Sequence, residues 1–247
     1  MELEQFFRQN PAVALAFSGG VDSAYLLYAA KTCHADVTAY YVKTPFQPQF
    51  EYEDALRLAE QLEVPMRTIH LDVLSDPQIV ANPANRCYFC KRRIFTAILE
   101  AAQADGYSVI LDGTNASDDA SDRPGMVALR ELQVRSPLRE CGLTKAEIRR
   151  LSKEAGLFTH DKPAYACLAT RIPTGVAITA EALARTEAGE EYLKSLGFSD
   201  FRIRLMGSAA RIQLPESQIP LLLQHREDIL NRLKQDYSAV LLDLEVR

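Results

Sequence analysis

Apolar and polar positions alternate along this chain between two spacings, and the alternation predicts the fold. Strand-like segments run from Ala12 to Phe17, Val37 to Val42, Met66 to Leu71 and Tyr107 to Leu111. Between them the apolar spacing turns helical, with Leu26, Leu27 and Ala30 in a helix over about 22–31 and Ala55, Leu58, Ala59 and Leu62 in one over about 51–62. Ile94, Ile98, Leu99 and Ala102 mark another helix before the fourth strand. Strands separated by helices in this order predict an α/β fold, a doubly wound parallel sheet covered on both faces. Thr144-Lys145-Ala146-Glu147 reads as a capping box opening a helix that closes near Gly156.

Beyond Phe158 the pattern changes. A helix over about 180–195 leads to Phe201–Met206, a Gly207-Ser208 turn and Ala209–Leu214, which reads as a hairpin. A helix over about 216–234 and a strand from Ala239 to Val246 complete a smaller C-terminal α+β domain. The expected division is therefore 1–158 and 159–247. Asn115 to Gly125, rich in Ser, Asp and Gly, is the clearest long loop.

With 247 residues, 47% of them hydrophobic, the chain can bury a sizeable core. Its 28 basic and 33 acidic side chains leave a net charge of −5, a field that repels polyanions, so nucleic acid is not expected as a main partner. The opening MELEQFFRQNP is polar and acidic rather than a leader, and no run approaches the roughly 18 apolar residues of a membrane span, so a cytoplasmic location without membrane contact is expected. Five cysteines are too few and too odd in number for a disulfide framework, which directs attention to reduced or metal-bound thiols.

The most informative segment is Ser18-Gly19-Gly20-Val21-Asp22-Ser23, placed after a strand and opening a helix. Two glycines let the backbone approach a ligand closely, Ser18 and Ser23 can donate to phosphate oxygens, and a helix N-terminus favours negative charge. The segment lacks the Lys of a Walker A loop and the spacing of GxGxxG. It resembles the SGGxDS pyrophosphate loop of the N-type ATP pyrophosphatases, whose adenine-nucleotide hydrolase-like domain the resemblance implies here. Asp112-Gly113-Thr114-Asn115 alone is an ordinary turn, but after the fourth strand of such a sheet it emerges beside the first loop, where ligands bind. There it is similar to the family's nucleotide-contacting loop, with Gly113 and Thr114 as its contacts. Ser136-Pro137-Leu138 and the helix from Lys145 also look like the family.

Cys87 and Cys90 form a CxxC in Arg86-Cys87-Tyr88-Phe89-Cys90-Lys91, and Cys167 follows in Ala166-Cys167-Leu168-Ala169-Thr170-Arg171. Three thiolates suit a [4Fe-4S] cluster with one iron left open. Zinc completed by His160 or His70 is a second arrangement, and a redox pair or inert thiols a third. Cys33, near a helix end, and Cys141, before a glycine, read as structural.

Together these segments resemble the ATP-dependent sulfurtransferases that convert pyridinium-3,5-biscarboxylic acid mononucleotide to its bisthiocarboxylic acid, for the nickel-pincer cofactor of lactate racemase. Asp122-Arg123-Pro124-Gly125, the ACLATRIPTG run from Ala166 to Gly175, Phe201 to Arg204, and Ala210-Arg211-Ile212 extend the likeness over nearly the whole chain. The resemblance implies ATP and Mg2+ as cofactors, Asp22 as a catalytic residue, a pyridinium mononucleotide as substrate, and a homo-oligomer, for which the family suggests a hexamer. In some members one cysteine surrenders its sulfur; in others three hold a [4Fe-4S] cluster, the pattern that Cys87, Cys90 and Cys167 match. Adenylylation gives a carboxylate the leaving group that sulfur can displace. Arg202 and Arg204 alternate with Phe201, Ile203 and Leu205, so a strand puts both guanidiniums on one face. The resemblance makes them ligands of the substrate phosphate, with Arg171 and Glu190 as further candidates. A tRNA thiolase, an ammonia-dependent ligase such as GMP or NAD synthetase, and a catalytically silent ATP- or AMP-binding module are the other readings. Pyrophosphate release separates the last of these from the enzymes.

Overall fold

The strand-like segments of the first half pair into one sheet in a computed structural model that describes residues 2–118 and 124–245. The chain runs α1 (Leu3–Gln9), β1 (Ala12–Ala16), α2 (Val21–Thr32), β2 (Asp36–Lys43), α3 (Gln49–Gln61) and β3 (Met66–His70). After α4 (Pro77–Val80) come α5 (Arg86–Ala104), β4 (Ile110–Leu111), α6 (Pro124–Glu131), α7 (Pro137–Glu140) and α8 (Lys145–Glu154). It divides into two units, Met1–Val73 with Asn85–Lys162, and Leu74–Ala84 with Pro163–Arg247.

In the first unit the strand order is β3-β2-β1-β4 and every pairing is parallel. Alternation along the strands sorts side chains onto two faces. Val13, Leu15, Ala39, Tyr41 and Leu111 join Phe6, Phe7, Leu26, Leu27 and Ile148 in one core. Ala14, Tyr40, Val42 and Ile110 meet Phe95, Ile98, Ala102 and Leu129 in the other. Helices thus cover both faces, as the sequence pattern predicts. From β1 the order runs outward to β2 on one side and to β4 on the other, a switch point at which the loops after β1 and β4 leave the same edge side by side.

The fourth strand is shorter than the sequence reading. The Tyr107 N–H returns to the Ala102 carbonyl to close α5, and its hydroxyl reaches Thr38 and Asp36, so the ladder begins only where the Ala14 N–H meets the Val109 carbonyl. The helix after Thr144 forms with both halves of its capping box present. The loop from Asn115 ends in α6, residues 119–123 lying outside the described ones.

The second unit holds α9 (Ala180–Ser195), β5 (Arg202–Met206), β6 (Ala209–Gln213), α10 (Ile219–Gln224), α11 (Arg226–Leu233) and β7 (Val240–Leu242). β5 and β6 form the expected hairpin, and β7 joins β6 in parallel. The single helix read over 216–234 is a short 3-10 turn followed by two helices. Pro220 stands in the first turn of α10, where its missing N–H costs least, and His225 leaves helical geometry between α10 and α11. The last strand covers three residues rather than the run from Ala239 to Val246, the final residue of which is outside the described ones. Asn82 secures the 74–84 segment to this unit: its amide donates to the carbonyls of Pro173 at 2.9 Å and Val176 at 3.1 Å. Among the described residues no helix is long and apolar enough to cross a membrane.

Candidate functional site

β1 ends at Ala16, and one further bond, from the Phe17 N–H to the Tyr40 carbonyl, aims the chain out of the sheet. Gly19 then turns through φ +70°, a conformation that side chains disfavour, and a Cβ there would stand 3.0 Å from Cβ of Ala55. Gly20 caps α2 in extended geometry. The loop is braced from within. The Ser18 and Ser23 hydroxyls lie 3.0 Å apart, and the Ser23 hydroxyl donates to the Gly20 carbonyl at 3.2 Å. Ser18 is exposed, while Val21 and Ser23 are buried in the first helical turn. The amides of Val21, Asp22 and Ser23 belong to the group that a helix start leaves without intrahelical acceptors, which makes this turn an anion site.

The loop after β4 packs directly onto that turn. A Cβ on Gly113 would come within 3.0 Å of the Ser23 backbone nitrogen, so this close approach requires glycine. Its neighbours are fixed by Asp112, whose buried carboxylate accepts hydrogen bonds from Thr114 and, at 2.6 Å, from the Ser136 hydroxyl. Asp22 lies between the two loops and α8. One carboxylate oxygen receives the Asn115 amide at 3.4 Å, and the other receives Lys145 Nζ at 2.6 Å. Burial raises the Asp22 pKa above the ordinary carboxylate value, and Lys145 opposes the rise.

Sequence reasoning quoted Lys145, Asp112 and Asn115 only within motifs and gave them no role at the site. The signal for Lys145 was present in the capping box, which fixes it as the first residue of α8. Its distance to Asp22 depends on folding across 123 positions.

Cys87 and Cys90 stand one turn apart at the start of α5, the first exposed and the second half-buried. They belong to the first unit and Cys167 to the second. None of the five cysteines is paired in a disulfide. Cys87 and Cys90, at helical i, i+3 spacing, are thiol donors of the kind an iron–sulfur cluster takes. Among the described residues no group of three His, Cys, Asp or Glu side chains is gathered as a metal site. Of the histidines considered as zinc ligands, His160 has Nδ1 2.9 Å from the Leu157 carbonyl, and His70 ends β3 in an exposed position. Cys33 and Cys141 pack against the first unit's core, and burial pushes both thiols up.

In the second unit Cys167 precedes the 3-10 turn Leu168–Arg171. Arg171 is fully buried and grips Glu190 with two bonds, Nε to Oε1 at 2.8 Å and Nη2 to Oε2 at 3.1 Å. Glu190 also accepts the Ile203 N–H at 2.9 Å. Arg202 and Arg204 share one face of β5, as strand periodicity predicts, and neither is a solvated surface arginine. Arg202 is buried over the Tyr165 ring, and half-buried Arg204 donates to Gln213 Oε1 at 3.0 Å. Asp122 and Arg123 of the quoted motif lie outside the described residues.

No protein-family model matches the chain. It is 36% identical to an uncharacterized protein of Synechocystis sp. over 98% of its length and 92% of that protein. It is 30% identical to a tRNA-specific 2-thiouridylase of Clostridium botulinum over 61% of its length and 52% of that enzyme. With the pyridinium-3,5-bisthiocarboxylic acid mononucleotide synthase of Lactiplantibacillus plantarum it shares 34% identity over 94% of its own length and 85% of the relative's. Likeness at that level and coverage, on a parallel sheet with an SGGVDS loop at its switch point, means that the chain belongs to the family of that synthase.

Proposed function

We propose that this protein is an ATP-dependent sulfurtransferase acting on pyridinium-3,5-biscarboxylic acid mononucleotide. The observation that carries the ATP half is the packing of Gly113 on Ser23, which merges two loops and Asp22 into one anion-binding corner. Ser18 to Ser23, with Gly113 and Thr114, hold the triphosphate, and Asp22 serves as the carboxylate for its Mg2+. A substrate carboxylate oxygen attacks the α-phosphorus, pyrophosphate leaves, and donors of the loop and Lys145 offset its charge. Sulfur then attacks the acyl carbon and AMP departs with the electron pair of the broken C–O bond. Arg202 and Arg204, backed by Arg171 and Glu190, take the substrate phosphate. The first unit thus activates, and the second binds substrate and contributes Cys167 to sulfur transfer.

Cys87, Cys90 and Cys167 would hold a [4Fe-4S] cluster, which when bound supplies an open iron suited to sulfide. Assembly as a homo-oligomer in the cytoplasm belongs to the same reading. The test is product formation with sulfide supplied, alongside ATP–pyrophosphate exchange. Anaerobically reconstituted protein is expected to carry about four irons per chain and to turn over repeatedly. Cys87→Ala, Cys90→Ala and Cys167→Ala each abolish product while exchange persists. A single turnover that needs Cys167 alone and converts it to dehydroalanine would replace the cluster by a sacrificial thiol. Absence of pyrophosphate release with this substrate would remove the whole reading.

A further inference from the structure

The turn that carries Cys167 is held on both sides by one strand. Arg202 donates to the Ala164 carbonyl, three residues before the cysteine, and Arg204 Nη1 donates to the Thr170 carbonyl at 2.9 Å, three residues after it. Arg171 Nη1 takes the Ala166 carbonyl at 2.9 Å, and the Thr170 hydroxyl donates to the Cys167 carbonyl at 2.8 Å. The backbone around the thiol is therefore fixed almost residue by residue.

Tyr165 stands inside this frame, and no step of the chemistry above uses it. Its hydroxyl donates to Glu190 Oε2 at 2.6 Å, the oxygen that also receives Arg171 Nη2. Its ring contacts both guanidiniums, with Cζ of Arg171 at 4.6 Å and Cζ of Arg202 at 5.0 Å from the centroid. Glu190 pairs with Arg171, and the electron-rich ring face adds attraction for both guanidiniums, that of Arg202 included. Burial and the nearby carboxylate push the phenol upward, so it stays a donor.

We propose that Tyr165 is a positioning residue for Cys167, joining Glu190, Arg171 and Arg202 into one frame that sets where the thiol stands. It acts through the guanidiniums and touches no reacting atom. The proposal rests on Cys167 serving in sulfur transfer, and its main readout is independent of that role.

The experiment measures iodoacetamide labelling of Cys167 in the full chain, reduced and metal-free, peptide by peptide by mass spectrometry. In Tyr165→Leu, loss of both the hydroxyl and the ring loosens the turn, and Cys167 labelling is expected to rise about fivefold. Tyr165→Phe keeps the ring and shifts the rate less, in the same direction. Hydrogen exchange over α9 and β6 stays at the parent level, while kcat for sulfur transfer falls. Unchanged Cys167 labelling in folded Tyr165→Leu overturns the proposal. So does faster hydrogen exchange throughout α9 and β6, which would make Tyr165 an ordinary core residue. If Cys167→Ala still transfers sulfur, the functional role of Cys167 is lost, yet the labelling result stands on its own.

Discussion

At residues 18–23 the backbone itself makes the site, whereas at residues 164–171 side chains, those of Arg202 and Arg204 on β5 among them, hold the backbone in place. The first loop owes its shape to Gly19 in a left-handed turn, Gly20 as a cap and two serines that brace each other. The Cys167 turn is braced from within by Thr170 and Arg171 and from outside by β5. Its carbonyls accept from Arg171, Arg202 and Arg204; Glu190 pairs with Arg171, and the Tyr165 ring packs on Arg171 and Arg202. The difference has a consequence for substitution. A backbone-made site fails where one added atom enters it, while a side-chain frame fails through charges left without partners.

The largest effect tests the backbone-made loop. Gly19→Val puts a branched side chain at φ +70° against Ala55 and is expected to lower ATP–pyrophosphate exchange by about a hundredfold or more, through misplaced phosphate donors. A folded variant with normal exchange would break the comparison on that side.

Next in size is the ion pair of the second loop. Glu190→Ala leaves the Arg171 guanidinium buried without its carboxylate, and the expected loss of stability is about 3–5 kcal/mol, read by denaturant unfolding. A loss no larger than that of an exposed pair would mean that solvent reaches the frame.

The smallest effect sharpens the contrast between buried and surface charge. Hydrogen bonds from Arg135 hold the Glu140 carboxyl below its ordinary value of 4.5. Its folded pKa lies under its unfolded one, so its contribution is fully present above the unfolded value and is lost as pH falls through the native one. Glu140→Gln should flatten that acid limb of the stability curve by lowering stability at neutral pH by the same small amount, with the acid end little changed. Unfolding at a series of acid pH values checks it.

The alternating sheet and helices, the phosphate loop and the capping box were legible because each is decided by neighbours within a few positions. Tyr107 shows where this stops. It reads as strand by type, yet it closes α5 and sends its hydroxyl to Thr38 and Asp36 on β2. The break at His225 was equally hidden, although Pro220 offered a hint.

For the site, the sequence by itself determined the candidates: the glycines and serines of the loop, three spaced cysteines, and two arginines on one strand face. Local rules suffice there, since φ, capping and strand alternation involve short stretches of chain. Only the tertiary structure decided that Lys145 meets Asp22, that Gly113 lies on Ser23, and that Tyr165 and Arg171 meet on Glu190. Those contacts join positions from 19 to 123 residues apart, and no local preference encodes them. They follow from where the helices and strands come to rest once their apolar faces are buried.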